Sequence, residues 1–228
     1  MSIFQALVLG ILQGIAEFLP ISSSGHLAVV QNLFGLELPL VFDVCLHLAT
    51  LLAVILVFRK KIWSLLCVFA RWILRKSKPE DKAELSMIVA IIVGTFVTGI
   101  MGIVASKFLP EFPIKLVFVG FIITSFLLIF SSKVNEKTQK DEYSTELSKI
   151  SIKQGLFVGF AQGIGTLPGI SRSGITISAS LFAKIDRETA GEFSFLLSIP
   201  AILGAFILEA KDLGTCNIYF ICMDNFCY

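Results

Sequence analysis

The sequence predicts an all-α integral membrane protein, polytopic, built as an inverted-topology repeat with two re-entrant broken-helix hairpins. Three observations predict it. The 228-residue chain is 55% apolar and only 16% charged, with a mean hydropathy of +0.85, whereas a soluble domain carries about a quarter charged residues. Several uncharged runs reach the length of about 20 residues that a helix needs to cross hydrocarbon. Two thirteen-residue segments, one in each half, also repeat each other across a helix break. Residues 13–25 read QGIAEFLPISSSG and residues 162–174 read QGIGTLPGISRSG, identical at seven positions. These features exclude a disordered chain, a disulfide scaffold and an ordinary soluble enzyme.

The first element runs over Ile3–Leu19, breaks at Pro20 and resumes through Phe34. Its start has no basic region and no small-residue cleavage site, so it is not read as a signal peptide. Such breaks at membrane depth are tolerated where the backbone is buried in protein or lines a watery cavity, so residues 3–34 are expected to dip in and return. Val41–Phe58 is the first full span, and 59–76, with Trp63 and Trp72 among Arg and Lys, fits an amphipathic helix on the membrane surface. Leu85–Ala105 and Ile114–Phe130 are the next two spans. The stretch KVNEKTQKDEYSTELSK is a solvated loop within 133–153. A second interrupted hairpin covers 155–183, broken at Pro168-Gly169 and resuming at about Gly174, and Glu192–Leu208 is the fourth span. The first repeat is thus 1–132 and the second 154–228.

Charge sets the orientation. Of nineteen Lys and Arg, eight fall in 59–84 and five in 131–153, with Lys184 and Arg187 on the same side; only Lys107, Lys115 and Lys211 lie opposite. The positive-inside rule places both long basic loops in the cytoplasm. The span at 41–58 then runs outside to inside and 192–208 inside to outside, so the repeats are inverted, and inverted repeats with broken helices hold their site near the midplane. The symmetry leaves the second repeat short by about 50 residues, and the atypical tail 212–228 reads as a truncated or frameshifted end. The five cysteines, Cys45, Cys67, Cys216, Cys222 and Cys227, contain no CxxC pair. They suggest neither zinc nor a disulfide framework; Cys45 and Cys67 read as small apolar residues.

Ionisable groups inside a membrane are functional candidates by default. Glu17 stands three residues before Pro20, with Gln13 four residues earlier on the same helical face. Arg172, the one basic residue beside the second break, would meet Glu17 if the hairpins converge, and its planar fork suits phosphate. A carboxylate reaching water and a structural ion pair are the plainer readings of these residues. Ser22, Ser23 and Ser24 in one loop, and Ser171 and Ser173 in the other, stand beside Gly25 and Gly174, where backbone N–H groups can approach an anion. His26 is spaced to reach the Ser22 or Ser23 hydroxyl, the smallest unit of an activated nucleophile. Serines in membrane helices otherwise bond back to a carbonyl. Asp43 and His47 are weaker candidates for a supporting role. The set points to a phosphate or diphosphate. No GxxxxGK[ST], HExxH or GxGxxG is present.

These residues resemble the undecaprenyl-diphosphate phosphatases of the bacitracin-resistance type. The family's [EQ]xxxE and LPxSSxGH motifs stand here as Gln13-x-x-x-Glu17 and Leu19–His26, and its PGxSRSG as Pro168–Gly174; the FDVxLHLxTLLAV segment at 42–54 is also similar. The resemblance implies hydrolysis of a C55-isoprenyl diphosphate to the monophosphate and inorganic phosphate in a bacterial cytoplasmic membrane. The site would face the extracytoplasmic side. Ser23 would be the nucleophile, with His26 as base or orienter, and Arg172 would hold the diphosphate with Ser22, Ser171, Ser173, Gly25 and Gly174 around it. A divalent cation, Mg2+ or Ca2+, is implied, with Glu17 and Gln13 at the metal. Gln13 supplies no negative charge there, where the pattern also allows a carboxylate. Expected partners are the lipid substrate, the bilayer and a second copy of the chain as homodimer, with no nucleic acid. The alternatives are a lipid-phosphate transporter or flippase, since broken inverted repeats are a transporter signature, and an inactive truncated fragment.

Overall fold

The computed structural model describes residues 1–108, 113–138 and 149–213. Among these residues the chain is helix and connecting loop without a strand. The helices are α1 (Ile3–Phe18), α2 (Ser23–Leu33), α3 (Leu40–Val57), α4 (Arg59–Ile73), α5 (Lys82–Phe108), α6 (Ile114–Thr138), α7 (Ile152–Ile164), α8 (Arg172–Phe182) and α9 (Arg187–Leu213). By length and composition α5, α6 and α9 can each cross a bilayer, and α3 and α4, bent by 78° at the break between them, meet the same criterion only taken together. The protein is a multi-pass membrane protein. Its outer wall is apolar, with Phe4, Leu7 and Ile11 of α1, Phe96 and Ile100 of α5, and Phe118, Ile122 and Phe126 of α6 exposed at helical spacing.

The two interrupted hairpins are built alike. Ser2 caps α1 and Ser151 caps α7, each through a capping box with the glutamine three residues on, Gln5 and Gln154; such a box satisfies N–H groups that a helix start leaves unpaired. After the break, Ser22 caps α2 and Ser171 caps α8, each accepting from the N–H of the glycine three residues on. The Gln154 amide donates to the Ala183 carbonyl at 2.8 Å, so α7 begins and α8 ends at the same level. That closes the second hairpin as a dip and return.

Several bounds differ from the sequence expectation. α8 starts at Arg172 rather than near Gly174, because the Ser171 cap nucleates the helix. α6 runs on to Thr138, so the loop expected over 133–153 begins later. The tail beyond Leu213 lies outside the described residues.

Close packing depends on small residues where the membrane offers helices no hydrophobic drive to associate. Gly155, Gly159 and Gly163 of α7 lie against α5. A Cβ at Gly155 would stand 2.8 Å from the Ala90 Cα, one at Gly159 would overlap the Gly94 backbone, and one at Gly163 would reach Met101. The Thr98 hydroxyl donates at 2.9 Å toward the Gly94 and Gly159 carbonyls across this contact. α6 grips the second break: the Ser171 N–H donates to the Thr124 hydroxyl at 2.9 Å, and Gly120 leaves room for the Gly169 backbone, where a Cβ would come within 2.6 Å. Gly169 itself has φ +91°, open to glycine at no steric cost.

Two further features lie where α3, α4 and α9 meet. Phe195 of α9 packs on Phe58 at the bend (centroids 5.8 Å apart) and on Phe18 at the end of α1 (6.2 Å). One turn away, Lys61 of α4 pairs with Glu192 of α9 at 3.4 Å. Arg71 of α4 forks onto Asp81 at 3.0 and 2.5 Å and ties α4 to the start of α5.

Candidate active site

The two breaks meet. A Cβ on Gly25 would come within 2.9 Å of the Gly169 Cα, and one on Gly174 within 3.4 Å of Pro20. Both half-helices α2 and α8 therefore start at one place, and helix starts carry unpaired N–H groups and the positive end of the helix dipole. Arg172, first residue of α8, donates from Nη2 to Glu17 Oε1 near the end of α1. A buried charge persists when it is paired and hydrogen-bonded.

Glu17 is the hub. Its Oε2 accepts the Ser23 hydroxyl at 2.6 Å and the Gln13 amide at 3.1 Å, and His47 Nε2 stands 3.5 Å away. The His47 ring is fixed from behind, since Nδ1 lies 2.7 Å from the Asp43 carbonyl; a carbonyl only accepts, so Nδ1–H donates to it, and Nε2 donates to Glu17 as well only in the doubly protonated ring. Gln13 also donates to Thr50 at 3.4 Å, and its Oε1 is buried without a hydrogen-bond partner. Asp43 accepts from Gln31 at 2.7 Å, which ties α3 to α2.

Ser22 holds the nucleophile candidate in place at a conformational cost. Its φ of 69° is left-handed, a region a non-glycine residue enters at about 1–3 kcal/mol. The Ser22 side chain recovers part of this by capping the Gly25 N–H at 3.3 Å. The turn makes Ser23 the first residue of α2, and its hydroxyl lies against Glu17.

A cavity of about 460 Å³ opens on this cluster, within the range of small-molecule sites. Glu17, Ser22, Ser23, Ser24, Asp43, His47, Ser171, Arg172 and Ser173 all line it. Gln13, Gly25, His26 and Gly174 do not appear on its wall.

The chain matches the family described as Bacitracin resistance protein BacA over residues 6–223. It belongs to the BacA family. Relatives named undecaprenyl-diphosphatase include one from Treponema denticola, 57% identical over 93% of this chain and 77% of the relative. Another, from Borrelia recurrentis, is 43% identical over 96% of this chain and 80% of the relative.

In this BacA-family chain the structure corrects the expectations at Gly25 and Gly174, whose N–H groups are taken by the Ser22 and Ser171 caps rather than left for a phosphate, and at His26. His26 does not reach a serine hydroxyl: Nδ1 lies 2.8 Å from the Ser22 carbonyl, and the ring packs on Phe121 with centroids 4.8 Å apart. Four residues along a helix, the ring falls on the carbonyl of its own cap, while the Ser22 hydroxyl is taken by Gly25. Gly25 has a packing reason too, because a Cβ would come within 2.6 Å of Phe121. His47, read as a weak candidate, stands beside Glu17 instead. Its signal was the spacing to Asp43, four residues back on α3, which the sequence alone cannot aim at α1.

Among the described residues no three His, Cys, Asp or Glu side chains cluster to hold a metal. Glu17 is the carboxylate that lines the cavity beside Arg172, and Gln13 behind it, with Oε1 unpartnered among the described residues, is a neutral oxygen donor of the type a hard cation takes. Mg2+ keeps several waters and is commonly bound through one or two carboxylates plus substrate phosphates, and this donor set fits that mode.

Proposed function

We propose that this chain hydrolyses undecaprenyl diphosphate to undecaprenyl phosphate and inorganic phosphate, recycling the carrier lipid for peptidoglycan synthesis and thereby giving bacitracin resistance. The observation that carries the reading is the Ser23 hydroxyl donating at 2.6 Å to Glu17, next to Arg172. A serine against a carboxylate that can take its proton is an activated nucleophile.

In this reading the diphosphate enters between the starts of α2 and α8, where N–H groups and Arg172 meet its charge. Ser23 Oγ attacks the terminal phosphorus as Glu17 takes the hydroxyl proton. The bond from that phosphorus to the bridging oxygen breaks, and undecaprenyl phosphate leaves with the bridging oxygen. Undecaprenyl phosphate takes the proton from Glu17 as it leaves. Water then attacks the phosphoserine, and Glu17 accepts a proton from that water. Glu17 returns it to Ser23 Oγ as the serine–phosphorus bond breaks, and inorganic phosphate departs. Arg172, Ser171 and Ser173 neutralise and orient the phosphate oxygens, the main work of phosphoryl transfer. His47 and Gln13 hold the Glu17 carboxylate; His26 orients the α2 turn from behind. A divalent cation, Mg2+ or Ca2+, held by Glu17 and Gln13 would supply further charge neutralisation on the phosphate. The site faces the extracytoplasmic side of the bacterial inner membrane, with the basic segments 59–84 and 131–153 in the cytoplasm, as the charge bias supports.

The test is phosphate release from undecaprenyl diphosphate in detergent, with and without Mg2+. Ser23→Ala should stop release, whereas Ser24→Ala, which lines the cavity without touching Glu17, should keep most of it. Arg172→Ala should cost about 10³-fold or more in rate. Equal activity of the two serine variants would remove Ser23 as nucleophile. A lipid-phosphate carrier would bind the diphosphate and release no phosphate.

A further inference from the structure

The cavity does not end at the phosphates. It continues from the Glu17–Arg172 cluster into the space between α5 and α9. Its α5 wall is a single helical face, Thr95, Thr98, Gly99 and Gly102, spaced by three and four residues. Its α9 wall, Ala201, Gly204, Ala205 and Leu208, has the same spacing. Three of these residues are glycines inside helices, where glycine weakens the helix relative to alanine.

Helix packing explains the α7 glycines but not these. At Gly155, Gly159 and Gly163 an added Cβ runs into α5, whereas at Gly99, Gly102 and Gly204 no atom of the described residues outside the helix's own backbone lies within 4 Å of where it would stand. These glycines make room rather than contact. Where the passage leaves the site, its wall is still polar, with Gln162 and Thr95 lining the cavity. Farther out the wall is apolar, unlike a water funnel, and ends at Ile103 and Leu208, 48% and 53% exposed.

We infer that the passage between α5 and α9 holds the first isoprene units of the substrate and leads the rest of the chain into the bilayer past Ile103 and Leu208. The inference rests on the phosphatase reading and adds to it which helices select the lipid. A cavity of about 460 Å³ takes a drug-sized group, far less than a C55 chain, so most of the tail must leave sideways. A methyl-branched chain is wider than a straight one, and glycine and alanine walls supply that width.

The experiment replaces Gly102 and, separately, Gly204 by Leu. It compares kcat/KM for undecaprenyl diphosphate with that for dimethylallyl diphosphate, whose five carbons stop short of the mouth. Each variant should lower the preference for the long substrate by roughly tenfold or more. A preference unchanged from wild type in both variants would overturn the passage. If a Leu variant does not melt cooperatively, the Gly102→Ala and Gly204→Ala series should show the same trend in smaller steps. A second measurement needs no turnover: a diazirine on the second isoprene unit of a prenyl diphosphate should label peptides spanning 95–103 and 200–208. Labelling confined to α1 or α6 would also overturn the passage. Labelling between α5 and α9 by a wild-type protein that releases no phosphate would keep the passage and sink the phosphatase reading.

Discussion

Glu17 shows how one side chain gathers partners from four elements: Gln13 on its own helix, Ser23 on α2, His47 on α3 and Arg172 on α8. Two of these were legible in the sequence. Gln13 follows from helical spacing, and Arg172 from the symmetry of the two breaks. His47 was not, because its meaning depends on α3 crossing α1, a contact between elements that no local pattern encodes. Its ring is locked on the Asp43 carbonyl, so it acts by holding the carboxylate rather than by touching phosphate. Replacing His47 by Ala is expected to lower kcat by roughly ten- to a hundredfold with KM little changed. His47→Gln, which keeps a donor near Glu17, should recover part of the loss. Steady-state kinetics separates the two parameters, and a change in KM alone would place His47 in binding instead.

The broken hairpins were readable at the level of elements because proline and glycine punctuate them and the same thirteen residues occur twice. What the sequence did not disclose was which face of each helix packs. The spacing Gly155, Gly159, Gly163 is the small-residue ridge that lets α7 meet α5 at backbone distance, yet Gly99 and Gly102 on α5 look no different in sequence and face open space. The contrast gives a stability prediction. Gly159→Val should destabilise by about 3 kcal/mol or more through overpacking against Gly94. Gly191→Ala on α9, where no atom lies within 4 Å of the new methyl, should gain up to about 1 kcal/mol. Thermal melts in one detergent compare them; equal effects would mean that α5 and α7 can separate without loss.

The described residues present an apolar outer wall around a hydrophobic core and the polar cluster at Glu17, and the charge count assigns the basic segments to one side by the positive-inside rule. Composition made this much plain, since apolar excess and charge bias are sums over the chain and survive ignorance of the packing. The cavity between α5 and α9 did not show in those sums, because it is made by what is missing at three glycines. The orientation is testable on intact cells. In a cysteine-free background, Ser77→Cys should react with a membrane-impermeant maleimide only after the cells are opened, and Lys115→Cys should react from outside. The opposite pattern would invert the topology and place the site toward the cytoplasm.

The three phenylalanines at the bend of α3 have an electrical consequence. Phe18 adjoins Glu17, and Phe58 and Phe195 each stand three residues from the Lys61–Glu192 pair, so the rings lie between the Glu17 cluster and that pair. One elementary charge crossing a membrane potential of 100 mV involves about 2.3 kcal/mol. With the cavity open to the outside as proposed, these rings stand as an apolar barrier behind Glu17 and Arg172, and the pair is expected to sit nearer the outside potential than the inside one.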